Sequence, residues 1–311
     1  MLDYPKTQGE FEALVASEAS CRTYLTAIRW PNGFVCPQCG ATVTWVLPRE
    51  VWACRACGRK TSVTAGTLFH DSRLPLHRWF SAIWYVVGQK SGASALGVQR
   101  LLGLGSYHTA WAWLHRLRRA MVRPGRDLLT GTVEVDETFW GCAQPGRPGR
   151  SPGRKTLIFV AVAHDGETLQ RIRLLRIPDA SGSSLLTAVR ACIAPGSTVE
   201  TDGWVGYHPL SAAGYNHQQV RATDSADAAP LPRVHLIASL LKRWLLGTHQ
   251  GGIQATHLDY YLDEYTFRFN RRTSHSRGLL FRRVLEYAVL HPPLREVDLR
   301  APSAEHSDPR I

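Results

Sequence analysis

The residues best suited to chemistry fall in five short stretches. "CPQCG" and "CRACG" hold Cys36, Cys39, Cys54 and Cys57, two Cys-x-x-Cys pairs separated by 14 residues. Four thiolates so spaced can surround one tetrahedral Zn²⁺. "VEVDETFWG" and "ETDGWVGYHPL" hold Asp136 and Asp202, hard oxygen ligands of the kind a divalent cation takes. "RVHLIASLLKRW" holds His235 and Lys242, seven residues and about two turns apart on a helix. Read at 100° per residue, Leu236, Ile237, Leu240, Leu241, Trp244 and Leu245 make one apolar side of that helix, and His235 and Lys242 fall on the other.

Each stretch needs an element to hold it. Gly40 and Gly58 each follow the second cysteine of a pair, where the turn favours positive φ. Between the pairs, "TVTWVL" and "EVWA" alternate like a small hairpin. A module of this size buries too little apolar surface to fold alone, so metal binding would supply its folding free energy. The competing readings are a pair of redox dithiols or buried free cysteines. Cys21, Cys142 and Cys192 are isolated and read as structural.

Asp136 lies in an alternating strand, with Val133 and Val135 pointing one way and Glu134, Asp136 and Thr138 the other. "TLIFVAVAHDGET" and "LQRIRLLRI" follow as two strands, a hairpin turning at "HDGE". "ASGSSLLTAVRACI" reads as a helix, and "GSTVETDGW" as a short strand ending at Asp202. Between the first two strands, "GCAQPGRPGRSPGRKT" reads as a basic Gly/Pro-rich loop. Upstream, Trp79, Phe80, Ile83, Trp84 and Val87 fit one helix face. "SGASALGVQRLLGLG" and "SYHTAWAWLHRLRRAMVR" read as helix, turn and basic helix, the pattern of a helix-turn-helix whose second helix would enter the major groove. Any helical hairpin with a solvated basic face reads the same way. Near the C-terminus "YTFRFNRR" interleaves aromatics with Arg268, Arg271 and Arg272, which suits backbone contact to DNA or a basic helix end.

Composition bounds the partners. The 311 residues carry 37 Lys plus Arg against 25 Asp plus Glu, a net charge of +12, which points to a polyanion, first of all nucleic acid. No apolar run approaches a membrane span and the N-terminus has no signal-peptide core, so no membrane partner and a cytoplasmic location are expected. Seven cysteines, an odd number in a long chain, argue against a disulfide framework.

The order three strands, helix, strand, later helix resembles a ribonuclease-H-like catalytic core. With "VEVDETFWG", "ETDGWVGYHPL", "LLKRWLLGTHQG" and "YYLDEYTFRFNRR" behind an N-terminal pair of Cys-x-x-Cys knuckles, residues 15 to 285 resemble bacterial insertion-sequence transposases with a zinc ribbon. The resemblance implies a mixed α/β chain: a helical segment 1–30, zinc ribbon 31–65, helix-turn-helix-like DNA-binding segment 66–126, ribonuclease-H-like domain 127–290 and disordered tail 291–311. It also implies a site of three metal-binding positions, the first on Asp136, the second on Asp202 and the third, usually Glu or Asn, on His235, with Lys242 two turns on. The set therefore reads Asp-Asp-His where the commonest family pattern is acidic; Glu264 is the alternative third ligand. Mg²⁺ or Mn²⁺ would be the catalytic ions, imidazole suiting Mn²⁺ better, and Zn²⁺ the structural one. The expected partners are double-stranded DNA at element ends and target, met as a homo-oligomer, with Arg116, Arg119, Arg271 and Arg272 among the contacts. A metal-dependent nuclease without strand transfer and a non-catalytic DNA-binding protein are the alternatives.

Overall fold

A computed structural model describes residues 3–48, 50–141, 155–220, 230–250 and 252–300. Cys142, most of the basic loop and residues 301–311 of the expected tail lie outside them; the tail was expected from 291, but His291 and Leu299 are buried and 296–300 are helical. The chain divides into two compact units, one of residues 1–124 with 273–301, the other centred on 125–272.

The first unit opens with two helices, α1 (Gln8–Val15) and α2 (Glu18–Arg29), each capped by a hydroxyl: Thr7 accepts from the Glu10 amide and Ser17 from the Ser20 amide. The ribbon follows. Strands β1 (Thr44–Leu47) and β2 (Val51–Cys54) form the expected hairpin, and β3 (Lys60–Ser62) adds a third antiparallel strand. Arg29 donates to the carbonyls of Ser62, Val63 and Ala65 at 2.7–3.0 Å and ties the ribbon's exit to α2.

Helices α3 (Leu76–Gly88), α4 (Ala95–Leu102) and α5 (Tyr107–Arg119) come next. Ser94 caps α4, and Gly103 at φ 58° ends it, so the helix-turn-helix-like hairpin forms as its turn chemistry predicts. Its second helix, however, does not present a solvated basic face. Ala110, Ala112, Trp113, Leu114, His115, Leu117 and Arg118 are all buried, and Trp79 stacks on Trp113 at 3.7 Å. Arg118 is 2% exposed and bonds His115 at 3.1 Å, and Arg116 donates to the Leu294 carbonyl at 2.8 Å.

Helix α10 (Arg277–Ala288), assigned to the catalytic domain by sequence, packs in this first unit instead. The reason is aromatic. Phe281 meets Phe11, Phe80 and Trp84 edge-on at 5.4–5.7 Å, and Arg277 donates to the Trp84 carbonyl. Gly278 permits the approach, since a Cβ there would come within 1.7 Å of the Pro5 carbonyl oxygen. Helix α11 (Glu296–Arg300) closes the described chain.

The second unit is built on a five-stranded sheet. Strands β4 (Thr132–Trp140), β5 (Thr156–His164) and β6 (Leu169–Ile177) form an antiparallel meander. After helix α6 (Gly182–Cys192), β7 (Thr198–Thr201) pairs parallel to β4; after α7 (Pro209–Ala212), β8 (Asn216–Gln219) pairs parallel to β7. The order is β6-β5-β4-β7-β8, so β4 is central. One face, with Val133, Val135, Phe159 and Val199, packs on α6 residues Leu185, Ala188 and Val189. The other, with Ile158, Val160 and Val162, packs on α8 (Pro232–His249) and α9 (Leu258–Phe269). Nearly every residue of β5 is buried, as its continuous apolar run requires of a strand covered on both faces.

Helix α8 buries Val234, Ile237, Leu241 and Leu245, spaced three, four and four. Full burial of each such side chain stabilises by about 1.5–3 kcal/mol. Leu236, placed on the apolar side by sequence, is 46% exposed, because Val234 rather than Leu236 begins the buried row. Cys21 and Cys192 are fully buried, as isolated structural cysteines are expected to be.

Candidate metal and nucleic-acid sites

In the ribbon the two knuckles are built alike. The amide of Gly40 donates to the Cys36 carbonyl and that of Gly58 to the Cys54 carbonyl, each at 2.9 Å, with φ of 72° and 73° at the glycines. The four Sγ atoms lie within 4.8 Å of one another, with Cys36–Cys57 and Cys39–Cys54 both at 3.6 Å. Four sulfurs about 2.3 Å from one Zn²⁺ would be about 3.8 Å apart along each tetrahedral edge, so the donor set fits zinc in both chemistry and spacing.

In the second unit, strand pairing sets the carboxylates. Glu134 on β4 lies opposite Glu200 on β7. Two residues further along, Asp136 lies on β4 while Asp202 directly follows the last residue of β7, and the negative charges of both act on the Tyr207 hydroxyl. Neighbouring strands run about 4.8 Å apart, so Glu134 and Glu200 make a paired lower tier on the sheet face that α8 covers, and Asp136 with Asp202 follows as the upper tier. The Asp136 Oδ1 accepts from the Glu137 amide at 2.8 Å, and the Asp202 Oδ1 accepts from the Trp204 amide at 3.0 Å, which closes the turn after β7. From α8, His235 brings Nδ1 to 3.8 Å from the Asp136 Oδ2; its side chain is 53% exposed and that of Asp136 21%. Ligands about 2.1 Å from one ion stand about 3.0 Å apart at right angles and about 4.2 Å apart in trans, so this spacing suits a shared divalent cation. Lys242 is half-buried on α8, about 10 Å beyond His235 by helical rise.

Glu264 stands elsewhere. It is fully buried on α9, which packs on β6, and its Oε1 is held by Arg268 at 2.7–2.8 Å. A carboxylate neutralised by its own helix and closed to solvent is ill placed to serve as the third ligand. Arg271 and Arg272 lie over the rings of Phe267 and Phe269 at 4.2 and 4.3 Å, and Arg272 also donates to the carbonyls of Leu169 and Gln170. Asn270, just before them, pairs with both backbone groups of Ile172 on edge strand β6. Much of the "FNRR" motif therefore secures the sheet edge.

Among the described residues, the other group of metal-ligand atoms within 4.8 Å of one another is Glu134, His164 and Glu200, the lower tier. Its hydrogen bonds argue against a metal. Glu134 accepts from the amides of Arg233 and Val234 and from the Arg233 guanidinium at 2.8–2.9 Å. His164 Nδ1 accepts from the Gly166 amide, so its Nε2 carries the proton and donates to Glu200 at 3.1 Å. A cation here would have to displace a guanidinium and that proton. The sequence reading placed Glu134 on the same strand face as Asp136 but gave it no role. It passed over Tyr207, whose hydroxyl donates to Glu137 next to Asp136. Burial pushes the Tyr207 hydroxyl well above its ordinary pKa, with the negative charges of Glu137, Asp136 and Asp202 adding to the effect, so it stays a donor.

The change in role for Arg116 has a measurable consequence. Replacing Arg116 with Gln should lower the stability of the first unit by about 1.5–3 kcal/mol, the worth of a charge-assisted bond to a carbonyl. The slope of log affinity against log salt for DNA should stay unchanged, because no phosphate contact is lost. Thermal unfolding and a salt titration measure the two effects; a flattened slope at unchanged stability would return Arg116 to the DNA interface.

A meander followed by two parallel strands, with paired carboxylates on the central strand and its parallel neighbour, defines the ribonuclease-H-like class. Residues 128–270 match the family model for an ISXO2-like transposase domain, and residues 16–60 match that for a transposase zinc-ribbon domain. The two matches, ribbon first along the chain, are those of an insertion-sequence transposase with an N-terminal zinc ribbon. The chain is 28% identical over 285 residues to a protein described as "Uncharacterized protein in transposable element ISH50" of Halobacterium salinarum, covering 81% of this chain and 90% of that protein. Among the described residues no helix is long and apolar enough to cross a membrane.

Proposed function

We propose that the chain binds the terminal inverted repeats of its element in the cytoplasm, cuts at the element ends and joins the 3′-hydroxyls to target DNA. The observation that supports this reading best is the upper tier, with Asp136 on β4, Asp202 just past the end of β4's parallel neighbour β7, and His235 at ligand distance from Asp136. Two divalent ions at such a site activate an oxygen nucleophile and stabilise the leaving oxyanion. Asp136 would hold both ions, Asp202 one, and His235 would ligate the second through neutral imidazole or orient a water. Lys242 would hold a backbone phosphate as a point charge. The four ribbon cysteines would hold a structural zinc.

DNA contact falls to basic residues outside this site, Arg119, Arg271 and Arg272 among them. The exposed first turn of α5, which carries Tyr107 at 55% exposure, is the end a helix-turn-helix uses on base edges. A homo-oligomer on DNA would pair the two element ends. Labelled terminal-repeat DNA incubated with the protein and Mg²⁺ or Mn²⁺ tests the reading. Joined product supports it, cut product alone indicates a nuclease, and a mobility shift alone a binding protein.

His235 gives a sharper test. Substituting Ala should lower cleavage about 10²-fold, within the range for loss of a metal-site partner. Substituting Glu should keep or raise activity in Mg²⁺, because it supplies the harder oxygen ligand. Cleavage rates in the two metals measure this, and equal rates for wild type and the Ala variant would remove His235 from the site.

A further inference from the structure

The start of α8 has no cap of its own. Leu231 at the N-cap position sits at φ 54°, ψ 55°, a left-handed conformation that a leucine adopts only under constraint, and Pro232 follows. The next two amides, of Arg233 and Val234, would be orphaned inside the unit. Their acceptor comes from 99 and 100 residues earlier: Glu134 Oε2 on β4, at 2.8 and 2.9 Å. Glu134 Oε1 takes the Arg233 guanidinium, whose other end reaches the Gly166 carbonyl in the β5–β6 turn. Glu134 is 1% exposed, so these bonds form in a medium where they are strong. It stands two residues before Asp136 on the same strand face, and the capped amide of Val234 directly precedes His235. One strand thus carries both the first aspartate and the anchor of the helix that brings the histidine to it.

We propose that Glu134 is a positioning residue that fixes the axial and rotational setting of α8 against β4, so that His235 meets Asp136 at metal-sharing distance. This rests on the reading of Asp136, Asp202 and His235 as a metal site. The mechanism is electrostatic as well as geometric, because a carboxylate at a helix N-terminus complements its dipole and its unpaired amides.

The test uses the full chain without DNA and two readouts other than activity: Mn²⁺ binding by electron paramagnetic resonance and amide hydrogen exchange across residues 232–240. Glu134→Ala should raise the half-saturating Mn²⁺ concentration about tenfold, the low end for loss of an outer-shell partner, and speed exchange in the first turn of α8. Glu134→Gln keeps an acceptor for the amides and should fall between Ala and wild type. Should Glu134→Ala fail to fold because it strands the Arg233 guanidinium, the pair Glu134→Leu with Arg233→Leu removes both charges and leaves only the amides uncapped; the same two shifts are expected. Faster exchange with unchanged Mn²⁺ affinity in these variants would overturn the proposal. So would Mn²⁺ binding that is lost on His164→Ala but kept in Asp136→Asn, which would put the ion in the lower tier. If Asp136→Asn leaves Mn²⁺ binding intact while Glu134→Ala still loosens α8, the metal-site reading itself has failed, and the cap stands as a stabilising feature alone.

Discussion

Asp136→Asn and Asp202→Asn should each reduce cleavage at terminal DNA by at least about 10³-fold, a loss of about 4 kcal/mol in transition-state stabilisation, with DNA affinity within about twofold of wild type. Asparagine keeps the shape and one oxygen but removes the negative charge that a hard divalent cation requires. Asp136 accepts from the Glu137 amide and Asp202 from the Trp204 amide, bonds that the asparagine oxygen can still make. Stability should therefore hold, and the defect should be chemical. Binding should hold because it depends on basic side chains elsewhere in a chain of net charge +12. Rates from single-turnover cleavage and affinities from filter binding at one fixed salt concentration separate the two. Cleavage within tenfold of wild type in either variant would mean that the upper tier is not the catalytic one.

The residues that carried the sequence reading had their signal written locally. The alternation of Val133, Glu134, Val135 and Asp136 predicts both the strand and its two faces, since a strand has period two. The unbroken apolar run of β5, the HDGE turn and the helix-turn-helix-like hairpin with its Gly103 stop are equally local, and all form. What sequence did not yield depends on partners far away in the chain. Arg116 reads as a solvated cation, but the Leu294 carbonyl that takes it lies 178 residues on. Glu134 reads as one more acid on a polar face, yet its three donors lie about a hundred residues later. Helix α10 follows the catalytic segment in sequence, but Phe281 finds its aromatic partners at Phe11, Phe80 and Trp84. Strand β8, "NHQQ", carries no apolar alternation and is a strand only because β7 offers it a free edge. Within the proposed site, it was the resemblance to insertion-sequence transposases that implied Asp136, Asp202 and His235. The network that holds His235 in place was not legible, because a cap supplied from another element leaves no mark beside the helix it caps.

Purified protein should carry about one equivalent of zinc, and Cys54→Ser should lose it together with the fold of the ribbon alone. The apparent binding free energy of a structural Cys₄-type zinc is on the order of 10–16 kcal/mol, which equals or exceeds the whole stability of an ordinary domain, about 5–15 kcal/mol. The ribbon has little else: Phe34, Trp52 and Trp30 form one small aromatic cluster, while Val43, Trp45 and Val46 are exposed. Its exit is anchored differently, since Arg29 holds the carbonyls of Ser62, Val63 and Ala65 without any help from the metal. Limited proteolysis of Cys54→Ser should therefore cut between residues 34 and 60 and spare both the 62–65 segment and the unit centred on 125–272. Metal analysis with mass mapping of the fragments reads both effects. A zinc-free wild-type protein whose ribbon resists protease would show that the knuckles are held by packing, and a variant that unfolds throughout would show that the ribbon stabilises more than itself.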